Sequence, residues 1–134
     1  MRVVYYLFIW IFLGSIEVFA DFRDLKKVFL KKDQTKKLLV KYDTYERVFE
    51  FRWTLFVNNS LVVLRSYDKI VAQNVIYLNE RSSSFRVELK SRGADSLNTP
   101  YILVLFKDFD YEKKEAYFEI LLSDKKMQIE LEEL

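Results

Sequence analysis

The chain contains no cysteine and no histidine. Without cysteine there is no disulfide, no thiolate metal site, no lipid attachment to a thiol and no Cys-His nucleophile. Without histidine, the Ser-His-Asp arrangement and imidazole-ligated metals are excluded as well. Two glycines and one proline among 134 residues leave most turns to asparagine, aspartate, serine and lysine. The same scarcity, beside abundant Lys, Phe, Tyr and Ile, reads as low-GC codon usage and bears on ancestry, not function. A net charge of +2 is too small to argue for a nucleic-acid partner. Paired carboxylates remain as catalytic means, as in glycoside cleavage. Sequence alone does not show two of them facing one bond, and surface acids on strands are the commoner explanation. No cofactor and no resident metal is expected.

Turning to what is there, the first 20 residues read as a cleavable signal peptide. Arg2 supplies a positive start, Val3 to Leu13 is unbroken apolar, and Gly14 and Ser15 interrupt a helix. Val18 and Ala20 meet the small-residue rule at the −3 and −1 positions of a cut before Asp21. The rival reading, an uncleaved anchor, needs about 20 apolar residues; Gly14, Ser15 and Glu17 interrupt the run before that. A short leader with no lipidation site fits a bacterial periplasmic protein first and an extracellular one second.

Residues 21–134 make one domain. A composition 51% hydrophobic and 17% aromatic argues against disorder and for one packed core. The pattern predicts a mainly β fold, an antiparallel β-sandwich of about eight strands, with a small up-and-down β-barrel as the alternative. Odd positions Phe49, Phe51, Trp53, Leu55 and Val57 alternate with polar residues, so all five are expected to face the core. Asn58 and Asn59 predict a tight hairpin turn. Further strands are expected at 38–42, 61–67, 75–78, 85–89, 101–109, 115–122 and 127–131, with a long loop at 91–100 around Gly93. Asp21 to Lys32 is the one helix candidate, since Phe22, Leu25, Val28 and Phe29 fall on one helical face and Asp21 can cap it; a strand through Val28 to Leu30 is the alternative. Tyr101 to Phe106 is apolar at every position, so both its faces want cover.

Charge is unevenly placed. From Arg23 to Arg47 nine basic residues accompany four acidic ones, and from Asp108 to Leu134 nine acidic residues accompany four lysines. The two ends are therefore expected to attract each other, within the fold or between copies. Lys26, Lys27, Lys31 and Lys32 are candidates for contact with an anionic membrane surface, against the plainer reading of a solvated face. Tyr42, Tyr45, Tyr67 and Tyr77, near strand ends or on polar faces, are candidates for recognition, whereas Trp53 is expected in the core. Acids at Asp108, Asp110, Glu112 and Glu119 have a calcium-loop flavour, but the loop's required glycine is Lys113, so a solvated hairpin tip is the better reading. By elimination the expected function is a non-enzymatic binding or interaction module of the bacterial cell envelope, its partner a protein or an envelope component. The alternatives are a small-barrel carrier of an apolar ligand and a carboxylate-based hydrolase.

Overall fold

Alternating apolar and polar residues satisfy an extended chain, because successive side chains point to opposite faces of a sheet. The computed structural model describes residues 22–42, 44–81, 83–89, 99–124 and 128–134, so the leader and Gly93 lie outside the described residues. Nine strands form: β1 (Arg23–Lys31), β2 (Lys36–Tyr42), β3 (Tyr45–Val57), β4 (Ser60–Tyr67), β5 (Ile70–Tyr77), β6 (Ser84–Glu88), β7 (Tyr101–Asp110), β8 (Glu115–Ser123) and β9 (Ile129–Glu133). All neighbours pair antiparallel. They build a four-stranded sheet, β1-β8-β7-β6, and a five-stranded sheet, β5-β4-β3-β2-β9. The arrangement is sandwich-like and is not closed into a barrel.

Two meanders, β2 to β5 and β6 to β8, are each extended at one edge by a strand from the far end of the chain. β1 leaves its successor β2 and pairs with β8, while β9 leaves β8 and pairs with β2. The tight turns carry the backbone cost of a glycine-poor chain. Asn58 and Asn59, then Asp68 and Lys69, all take positive φ at the two hairpin tips flanking β4, the conformation whose twist matches antiparallel strands.

No helix occurs among the described residues, and the expected N-terminal helix is strand β1. The misleading spacing has a physical origin. The β1–β8 register shifts between Arg23 and Lys26, and that extra residue spaces the apolar positions by three, as a helix would. Beyond it strict alternation resumes, with Val28 and Leu30 buried and Phe29 exposed.

Aromatic rings run through a mainly aliphatic core between the sheets. Phe51 of β3 meets Phe85 and Phe118 edge-to-face at 5.9 and 5.2 Å. Irregularities in two facing strands shape one end of it. The register shifts between Trp53 and Leu55 in β3, and between Phe106 and Asp108 in β7. Each bulge inverts the faces of the residues that follow. Phe49, Phe51 and Trp53 point inward as expected, but then Phe56 turns to the core, leaving Leu55 51% and Val57 47% exposed. In β7, Phe106 is followed inward by Phe109. The two inverted segments meet, and Phe56 stacks on Phe109 at 4.0 Å.

Two hydrogen bonds from aromatic side chains tie the sheets together. Trp53 Nε1 donates to the Leu30 carbonyl at 2.7 Å, and the Tyr67 hydroxyl donates to the Leu89 carbonyl at 3.0 Å. Among the described residues no buried side-chain nitrogen or oxygen lacks a partner, as a dry core requires. The two-faced strand β7 is resolved simply. Ile102, Val104 and Phe106 enter the core, while Tyr101, Leu103 and Leu105 lie half-buried on the outer face. There the Phe22 ring meets Tyr101 edge-on at 6.2 Å and the Arg86 guanidinium sits 3.7 Å over it.

Candidate interaction surface

Part of the basic start and part of the acidic end meet within the fold. Arg23 pairs with Asp124, Lys36 with Glu133 at 2.8 Å, and Lys41 with Glu132 at 2.5 Å. The Lys36 ammonium holds the Glu133 carboxyl below its ordinary value, with Lys26 adding to the effect. Hydrogen bonding to Glu132 raises the Lys41 ammonium above its own. The lysine candidates do not form one patch. Lys27 and Lys31 stand opposite Glu119 and Glu115 on the outer face of the four-stranded sheet, Lys26 points to the other side of β1 near Glu133, and Lys32 is exposed at the following turn.

Of the tyrosines, three gather and one stands apart. Tyr42 and Tyr45 face each other across the β2–β3 hairpin with ring centroids 5.7 Å apart. The Arg47 guanidinium lies 5.3 Å from the Tyr45 ring and its Nε 3.6 Å from Asp68. Burial pushes the Tyr67 hydroxyl up to about 12, against the opposing pull of its hydrogen bond with Arg47. These contacts make the group a brace between hairpins, with Tyr45 its most exposed ring. Tyr77 lies at the other end of the β4–β5 hairpin. At the β7–β8 tip, Asp110 Oδ1 accepts from the Glu112 and Lys113 amides at 3.0 and 3.1 Å, and Glu119 accepts from the Tyr117 hydroxyl at 3.0 Å. These carboxylates cap a turn and a side chain. Among the described residues no three His, Cys, Asp or Glu residues group so as to hold a metal ion.

The outer face of the five-stranded sheet is the most distinctive surface. Cross-strand register lays it out in rows. Leu55, Val62 and Val75 form one row across β3, β4 and β5; Val57, Ser60 and Tyr77 form the next. Toward β2 and β9 the same face becomes a charged ladder, with Lys37 opposite Glu50 and Lys41 between Glu46 and Glu130. A shallow open depression of about 340 Å³ lies between the two halves, lined by Lys37, Glu50, Arg52, Leu64, Ser66 and Val71 among others. The wet face of an antiparallel sheet is normally polar; a contiguous apolar half is a feature of interaction sites.

Sequence reasoning missed this surface for two reasons. The β3 bulge is silent in the hydrophobic pattern, so Leu55 and Val57 read as core. β5 was expected only from Val75, yet the usable signal lay in its composition: Ile70 to Tyr77 contains no charged residue. No protein-family model, curated protein or solved structure matches the chain.

Proposed function

We propose that the protein is a non-enzymatic binding module of the bacterial cell envelope, exported by its first 20 residues and working in the periplasm. Its binding surface is the outer face of the five-stranded sheet, and its partner is another protein. The observation that carries this reading is the apolar row Leu55–Val62–Val75, exposed at Leu55 and Val75 and half-buried at Val62, beside the charged ladder of β2 and β9. Apolar area supplies affinity on leaving water, while the flanking charges fix orientation. Rings packed edge-to-face between the two sheets, in an arrangement not closed into a barrel, favour recognition at the surface over carriage of a molecule inside.

The test compares the chain with its Leu55→Glu and Val57→Lys variants, produced in an exporting host and cross-linked in intact envelopes. The expected result is recovery from the periplasmic fraction, with a defined partner adduct that both variants lose and Lys27→Gln keeps. Retention of the adduct in both apolar-row variants, or cytoplasmic recovery with residues 1–20 still attached, overturns the reading.

A further inference from the structure

Four strands form the sheet edges: β1 and β6 in one sheet, β5 and β9 in the other. An edge strand offers unpaired N–H and C=O groups to any other chain, and proteins blunt such edges with charge or short length. Three of the four are blunted here. β1 carries Arg23, Lys26, Lys27 and Lys31, β9 carries three glutamates, and β6 has five residues including Arg86 and Glu88. β5 is eight residues long with no Asp, Glu, Lys, Arg, Pro or Gly, and its Ile70 and Val71 are 73% and 71% exposed.

The hydrogen-bonding side of β5 can be assigned residue by residue. The Leu78 N–H donates to the Asn59 carbonyl at 2.9 Å, and Asn59 and Leu78 continue the β4–β5 register by one step. Antiparallel ladders alternate, so Ile70, Ala72, Asn74 and Ile76 bond toward β4. Val71, Gln73, Val75 and Tyr77 therefore turn both backbone groups to the open edge. Among the described residues no strand pairs with β5 there.

We propose that this edge pairs with β5 of a second copy of the chain, antiparallel about a two-fold axis, joining two five-stranded sheets into one of ten. This rests on the reading of the outer face as an interaction surface and names the first partner it meets. Charge argues for a copy: β5 brings none to the contact, whereas β1, β6 or β9 as a partner would set ionised side chains against its apolar ones. Side-chain parity limits the registers. Residues opposed in one continuous sheet share a face, and on β5 odd positions face outward and even ones inward. Two seven-residue registers meet that rule, centred on Gln73 and on Asn74; the second makes more hydrogen-bonded pairs, four against three, with Val71 opposite Tyr77 and Gln73 opposite Val75. Four hydrogen-bonded residue pairs then exchange about eight backbone bonds. The apolar rows of the two copies become one surface. Because the contact is isologous, it closes at two copies.

Sedimentation of the chain as produced by an exporting host tests the proposal. The expected species is a dimer at micromolar concentration. Gln73→Pro removes an N–H that points away from β4, and Val75→Lys sets like charges along the shared edge; each should weaken dimerisation at least tenfold while far-UV circular dichroism stays that of the parent. Leu55→Glu, two strands in from the edge, should keep the dimer, so loss of the envelope partner and loss of self-pairing are separately visible. In a chain without native cysteine, Asn74→Cys should form a disulfide-linked dimer on mild oxidation, its two thiols being about one non-hydrogen-bonded pair apart. A monomeric parent at high micromolar concentration overturns the proposal, as does open-ended assembly. So does a dimer indifferent to both edge variants, or one in which Asn74→Cys leaves the chains unlinked.

Discussion

Tyr67 shows how one hydroxyl serves both structure and pH response. It joins the end of β4 to the Leu89 carbonyl across the sandwich, and Leu89 is itself held by its N–H bond to the Pro100 carbonyl at 2.9 Å. Partial burial keeps its proton on to about pH 12, whereas an unfolded chain releases it near the ordinary value of 10. Between those values the unfolded state binds fewer protons than the native one, so stability falls as pH rises. Below 10 both states are protonated and the contribution is intact. Tyr67→Phe should therefore flatten the decline in denaturation midpoint across that window and remove the latest-ionising phenol from an ultraviolet titration. At neutral pH the same variant should lose about 1 kcal/mol, the net worth of one ordinary hydrogen bond.

At the scale of the element, the β3 bulge decides which side chains are core. Straight alternation makes Leu55 an inward residue and Phe56 an outward one; the structure reverses them, and Phe56 stacks on Phe109. Phe56→Ala should cost roughly 2–4 kcal/mol in urea denaturation, somewhat below the range for a fully buried ring. Leu55→Ser should cost no more than about 0.5 kcal/mol, as a surface substitution does. Most of the fold was legible because strands such as β3 and β6 alternate apolar and polar residues over at least part of their length, with short links between neighbouring strands. The hairpin at Asn58 and Asn59 was legible too, since those side chains tolerate positive φ. The legible part ended where an extra residue breaks the alternation, at Arg23 to Lys26 and Trp53 to Leu55. A bulge leaves composition unchanged and becomes visible only when the partner strand fixes the register. For the same reason the tyrosines and lysines were legible as residue types while their grouping was not: opposition of Tyr42 to Tyr45, or of Lys27 to Glu119, is a property of pairing.

Across the whole molecule, the exchange of end strands makes each sheet depend on both ends of the chain. β9 covers the edge of β2, buries Ile129 and supplies the partners of Lys36 and Lys41. Removing residues 128–134 should expose that edge and the core beneath it. The expected outcome is a loss of thermal stability far larger than that of any single β9 charge substitution, together with dye binding to newly exposed apolar surface. A melting temperature unchanged by the truncation would show β9 to be an ornament on a self-sufficient sandwich.

The strand exchange also has a temporal side. β1 leaves the ribosome before the other strands, yet β8, its ladder partner among the described residues, begins at Glu115, after β2 to β7 have been made. Until then Val28 and Leu30 have no sheet to join, and the early chain gains little by collapsing around them. Non-local pairing of this kind slows folding. The cost of that delay falls on β1, a strand still waiting for its mate while β2 to β5 already pair with one another.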